Sequence, residues 1–513
     1  MREQNRRLRR SMCRSAVVVS QVWSQLMKWN RGPLLVLVLV VYVRTGSAQT
    51  QVQLQQEAKE VAVSVLAGPS MQEIEALCDR FGARLTGTAA YDHAAEWAAA
   101  RFRAAGIQDV KFEKITVPNG WQRGWAESYL YSPVQRKLHL ESVSWTPSTP
   151  RDGVNGEVVV VSDISETALR GSTSAIRDHI VLFDAEHVFA AGFNKTYAKL
   201  IASYPIFKAL GAQALVLPDA VPNNVLGDWL DIDNGKGEIL PLPIAEIGME
   251  DALLIRRLLA KSPVTIGFSY QNQISGPVPS NSVIAEIRGS DKADEWILVG
   301  AHLDSWDFAT GAQDDGTGAI MVLEAARAVA QLPHPPRRSI RFALWTGEEP
   351  GLLGSRAYVK AHAKELDHCV AVINTDNGAG RPRGWIVEGR DDLKATLDEL
   401  APIYLKEYGA DQVSLETTFD SDQGPFMLQG IPSFDLWVDD VPYNAIHHKS
   451  SDTVDKIDPA YFKTDGAIVA VLAYVIAQRE GPIAPRLSHA AVGEILKKAQ
   501  LDGYLIAHGD WQP

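Results

Sequence analysis

Cysteine is scarce, with three residues in a chain of 513, and Cys13 sits in a leader-like N-terminus. Cys78 and Cys369 remain. They could pair in an oxidising compartment, and two buried free thiols fit the sequence equally well. Basic charge is scarce too. Residues 1–48 hold nine Lys and Arg against one acid, so removing them takes the net charge from −12 to −20. A surface that acidic argues against nucleic acid or an anionic membrane as partner. No repeat with a period of 20–50 residues is present, which excludes solenoids and propellers. No low-complexity tract is present either. Long apolar runs are also missing: LLVLVLVVYV, Leu34 to Val43, is far short of the ~20 residues that span a bilayer. It precedes RTGSA, with Gly46 and Ala48 at the positions a signal peptidase requires. Residues 1–48 therefore read as a cleaved secretory leader, its true start at Met1 or at Met27. No stable membrane anchor is expected.

What is present is a globular composition, 46% hydrophobic and 22% charged, long enough for one to three domains. MQEIEALCDRFG and YDHAAEWAAARFRAAG carry helical spacing and end in glycine. Residues 122–277 form a distinct β-rich module, with short runs such as GEVVVVSD and HIVLFDA between Gly, Asp, Asn and Pro. From Asn281 onward, apolar strands (WILVGAHLD, SIRFALWTGEE, CVAVINTDN) alternate with helical segments. That alternation predicts an α/β fold, a three-layer α/β/α domain around a mixed, mainly parallel sheet. The expected partition is a helical first part of this domain at 49–121, the inserted module at 122–277, the main part at 278–485 and a tail at 486–513.

Ligands in such sheets gather at the carboxyl ends of the strands. WILVGA runs into His302 and Asp304, FALWTG into Glu348 and Glu349, and VAVINT into Asp376. The loop GAQDDGTG adds Asp314 and Asp315, and NAIHHKSSDT adds His447 and His448. Singly, each piece is ordinary: a turn, a helix cap or a solvated pair of charges. At successive strand and loop ends the carboxylates would repel one another unless a cation neutralised them. Mixed His, Asp and Glu donors without thiolates suit catalytic zinc.

The series HLDSWDFATGAQDDGTGA, TGEEPGLLGS, INTDNG and HHKSSDTVDKID resembles the co-catalytic zinc exopeptidases of metallopeptidase family twenty-eight. The resemblance covers about residues 70–480, with the motifs in the family's order. It also implies that the inserted module is a protease-associated domain. It further implies two Zn2+ per chain, with Asp314 bridging them and His302, Glu349, Asp376 and His448 completing the ligand set. His448 is taken over His447 because the family's histidine stands four residues before the Asp of its D-T pair, here Asp452. Glu348 would be the general base acting through a metal-bridging hydroxide. Asp304 would orient His302 through its far ring nitrogen. The Asp314–Asp315 peptide would be cis, and a homodimer is compatible with family habit.

The implied function is hydrolysis of dipeptides or short peptides by a secreted carboxypeptidase-type enzyme, with a peptide substrate and no nucleic acid. An aminopeptidase of the same family is the alternative. A glutaminyl cyclase-like acyl transferase or a non-catalytic binding protein stand further off. Many aminopeptidase relatives read Ser-Asp-His where this chain has Ser421-Asp422-Gln423, which leaves specificity open. Trp306, Asp307, Asp422 and Tyr443 lie on loops placed to line a cleft, although ordinary packing explains each of them as well.

Overall fold

The computed structural model describes residues 51–190, 192–228 and 238–513. The leader expected at 1–48 lies outside them. Residues 51–57 are helical and belong to a unit of their own. A second unit runs from Ala58 to Pro513.

Two eight-stranded sheets organise this unit. The first has the order Asp109–Val117, Val278–Ile287, Arg338–Trp345, Lys292–His302, Cys369–Asn374, Ser433–Val438, Pro382–Ile386 and Gln412–Ser414. Its four central strands, from Arg338–Trp345 to Ser433–Val438, are mutually parallel, and antiparallel pairs flank them. The parallel strands are buried along nearly their whole length, as their unbroken apolar runs require when both faces are covered. Helices Thr317–Ala330 and Pro459–Gln478 pack together against this sheet. Pro459–Gln478 is long and apolar enough to cross a membrane, but most of it is buried in this core. Asp458 caps its first turn, accepting from the amides of Ala460 and Tyr461.

The second sheet lies wholly between Ala126 and Tyr270. Its ends are tied to the first: Val117 faces Val278 in the antiparallel pair Asp109–Val117 with Val278–Ile287. This region has more α/β character than its short β-type runs suggest. Strands Val154–Val161, Ile180–Phe183, Ala214–Pro218 and Ile244–Ile247 are parallel neighbours. Side chains alternate across the sheet, so Ile180 and Leu182 enter one apolar cluster while Val181 and Phe183 enter another. Helix Met249–Leu259 feeds the first cluster through Ala252 and Ile255, and Phe193–Leu210 feeds the second through Leu200, Tyr204 and Phe207.

The last residues fold into two helices, His489–Ala499 and Asp502–His508. Val492, Leu496, Leu505 and Trp511 pack there against Leu352, Phe419 and Met427. Cys78 and Cys369 are both buried free thiols.

Candidate active site

Register brings the strand-end residues level. His302 lies opposite Trp345, and Gly300 opposite Asn374. Asp376, two residues past Asn374, therefore arrives beside His302, and Glu348 and Glu349 follow three and four residues past Trp345. Asp314 comes from the turn Ala312–Gly316, which leads into helix Thr317–Ala330, and its peptide bond to Asp315 is cis.

The side chains converge around Asp314. Its Oδ1 stands 3.2 Å from His302 Nε2, and Asp376 Oδ1 is also 3.2 Å from that nitrogen. Its Oδ2 faces the other way, 3.4 Å from His448 Nε2, which is 3.2 Å from Glu349 Oε2. One carboxylate thus presents one oxygen to each of two donor sets. Glu348 reaches the first of them, with Oε2 at 3.8 Å from His302 Nε2. His447 reaches the same face, Nε2 at 3.5 Å from Asp314 Oδ2, but it is the more exposed imidazole and stacks on Tyr443. Asp315, absent from the expected ligand set, brings an oxygen close to His302 and Asp376.

The tautomer of His302 is fixed differently from expectation. Its Nδ1 lies 3.0 Å from the backbone carbonyl of Asp304 and 3.8 Å from that residue's carboxylate. The carboxylate is held elsewhere, accepting from Thr86 Oγ1 at 2.6 Å and from the Glu348 amide at 3.3 Å. A proton on Nδ1 given to that carbonyl leaves the Nε2 lone pair facing Asp314 and Asp376, the orientation a metal ligand needs.

Burial pushes Glu348, Glu349 and Asp315 well above the usual carboxylate range, and neighbouring carboxylates push further: Asp376 on Glu348 and Asp315, Asp314 on Glu349. Burial pulls His302 down, yet Asp376 and Glu348 outweigh it and raise its pKa well above normal. Asp314 Oδ2 and Glu349 Oε2 are buried and accept no hydrogen bond. Buried acceptors without donors are costly, and divalent cations between the two donor sets would satisfy them. The residues therefore fit bound divalent metal.

Several supporting residues escaped the sequence reading. Arg84, fully buried in what reads as the loop ARLTGT, donates to the carbonyls of Leu303 (2.7 Å), Thr310 (2.6 Å) and Gly311 (2.8 Å). It thereby shapes the whole loop between His302 and Asp314. Asp452, used above only as a counting mark, accepts from the amides of Gln313 (2.8 Å) and Asp314 (3.1 Å). Of the four loop residues singled out, Trp306 lines the cleft with Phe308, and its amide donates to Glu349 Oε1 at 3.0 Å. Asp307 pairs with Arg123 at 2.6 Å. Tyr443 backs His447, and Asp422 is buried.

Residues 282–473 match the model of peptidase family M28. The chain carries an M28 peptidase domain. All five candidate ligands and Glu348 fall inside it, whereas Arg84, Thr86 and the second sheet lie before it. Carboxypeptidase Q of Mus musculus is 27% identical over 416 residues, 80% of this chain and 86% of the relative. A peptidase M28 precursor from Shewanella amazonensis superposes with a TM-score of 0.76 at 28% identity, over 85% of this chain and 100% of that one. BSAP, a zinc aminopeptidase from Bacillus subtilis, shares the fold with a TM-score of 0.62 at 22% identity, over 80% of this chain and 95% of its own.

Proposed function

We propose that this M28 peptidase is a secreted exopeptidase that holds two zinc ions and hydrolyses dipeptides or short peptides in the manner of its carboxypeptidase Q relatives. The observation that carries this reading is the divided carboxylate of Asp314, with Oδ1 toward His302 and Asp376 and Oδ2 toward His448 and Glu349. Zinc bound at such donors supplies a water acidic enough to attack at neutral pH and polarises a carbonyl. His302, Asp314 and Asp376 would hold one ion, and Asp314, Glu349 and His448 would hold the other. Glu348 accepts the proton of the attacking water and returns it to the leaving amine nitrogen, from a carboxylate 3.8 Å from His302 Nε2. Trp306 and Phe308 give the cleft an apolar wall for a substrate side chain. The leader-like N-terminus supports action outside the cytoplasm.

Glu348→Gln should lower kcat by about 10²–10⁴-fold with both zinc ions still bound; near-full activity would remove Glu348 from the base role. Which terminus the cleft reads is tested with one dipeptide in N-blocked and C-amidated forms. Hydrolysis of the N-blocked form alone fits carboxypeptidase action, and hydrolysis of the amide alone fits an aminopeptidase.

A further inference from the structure

The second sheet lies outside the matched M28 domain, yet it touches the site on two walls. On one wall, Trp145 packs edge-on against Trp306, whose ring in turn meets His448 edge-on. Arg123 forks between Asp307 (2.6 Å) and the buried Asp228 (3.2 Å). On the other wall, the turn carrying His448 is pinned along its backbone. The His448 carbonyl accepts from the Asp228 amide at 3.0 Å, Gly227 bridges Lys449, and the Ser450 amide donates to Leu226 at 2.7 Å. Lys449 Nζ reaches Asp219, the residue after strand Ala214–Pro218, at 2.6 Å, and both side chains are essentially fully buried. Glu246, on the next strand, accepts from the Gly227 amide at 3.0 Å.

His448 itself sits at φ +60°, a left-handed conformation that an L-residue with a side chain holds only when its surroundings dictate it. Its backbone restraints come from the inserted segment, through Leu226, Gly227 and Asp228. Gly227 is indispensable to the contact, since a Cβ there would lie 2.5 Å from the His448 carbonyl and 2.7 Å from Lys449 Cδ. We propose that the inserted α/β layer is part of the metal site: Asp219 and Gly227 position the His448 turn, so that one of the two metals depends on residues outside the peptidase domain. Asp219, Lys449 and Gly227 are positioning residues; none of them is a ligand. The inference rests on the two-metal reading above.

The test is zinc content and chelator competition on the full-length protein, with circular dichroism to verify folding. Wild type should hold two zinc ions. Gly227→Ala, and independently the double variant Asp219→Asn/Lys449→Met, should keep one ion at wild-type affinity and bind the other about 10–100-fold more weakly, the usual loss when support behind a ligand goes. The double variant removes both charges together, which avoids stranding one in the interior, and it carries the test should Gly227→Ala fail to fold. Asp307→Asn, which loosens Arg123 but leaves the Lys449–Asp219 pair and the Gly227 bridge in place, should retain both ions. Folded variants that hold both ions at wild-type affinity would overturn the proposal, as would equal loss in Asp307→Asn. Fewer than two ions in the wild type would overturn the two-metal reading and this inference with it.

Discussion

His302 and His448 face opposite oxygens of the same carboxylate, and the chain places them by opposite means. His302 ends a parallel strand paired on both sides, with a side chain 1% exposed. Its position follows from the sheet. His448 ends nothing: it lies on a turn in a left-handed conformation, 20% exposed, held by a lysine pair and backbone bonds to a segment more than 200 residues earlier. One small site can thus combine an element that repeating backbone structure provides with one that particular side chains must hold.

The sharpest way to break this arrangement is to remove the group the two halves share. Asp314→Ala should abolish binding of both zinc ions and lower kcat/KM by at least about 10³-fold, roughly 4 kcal/mol; metal analysis and dipeptide hydrolysis check it. Side-chain tethers also titrate, which strand register does not. Glu388 holds the loop before Ser421 by accepting from the amide and hydroxyl of Thr418 and from Gln423. Burial, with Asp420 adding, pushes its carboxyl up from 4.5 to about 7. The folded chain therefore keeps this proton while the unfolded chain releases it. The associated stability is full below pH 4.5 and lost as pH rises to 7, about 3 kcal/mol in all. Glu388→Gln should flatten that part of the profile in urea titrations run from pH 4.5 to 8.

Smaller effects separate the two histidines. Thr86→Val deprives the buried Asp304 carboxylate of its 2.6 Å donor and should cost about 1–3 kcal/mol, read as a lower urea midpoint. Activity should fall less than in any ligand variant, because the carbonyl of Asp304 still orients His302. His448→Gly should lose one zinc ion but leave the thermal midpoint of the metal-free protein unchanged or slightly higher. It relieves a left-handed residue worth about 1 kcal/mol and removes a partly exposed ring. A clear loss of metal-free stability would show that the His448 turn is built like the strand it was contrasted with.

The same division explains what could be read from the sequence. WILVGA, FALWTG and VAVINT announce buried parallel strands by their apolar runs, and the residues that follow a strand fall at its carboxyl end. His302, Glu348, Glu349 and Asp376 were therefore visible as a group. Asp314 and His448 needed the resemblance to choose them from Asp314-Asp315 and His447-His448. Arg84 and Thr86 were invisible because a buried arginine bonding loop carbonyls leaves no periodic trace in ARLTGT. Lys449 and Asp219 were invisible for another reason: nothing local marks a pair separated by 230 positions. The resemblance implied that the Asp304 carboxylate stands behind His302. Thr86, unseen in its loop, holds that carboxylate instead.

Val117 and Val278 stand side by side in neighbouring antiparallel strands. A chain that turned directly from one to the other would still complete the first sheet, with every ladder bond in place. In topology, then, the intervening stretch is a parenthesis that the peptidase fold can open and close without altering its own grammar. Any attempt to trim this protein to a minimal peptidase should preserve its architecture while stripping the turn at His448 of its hold.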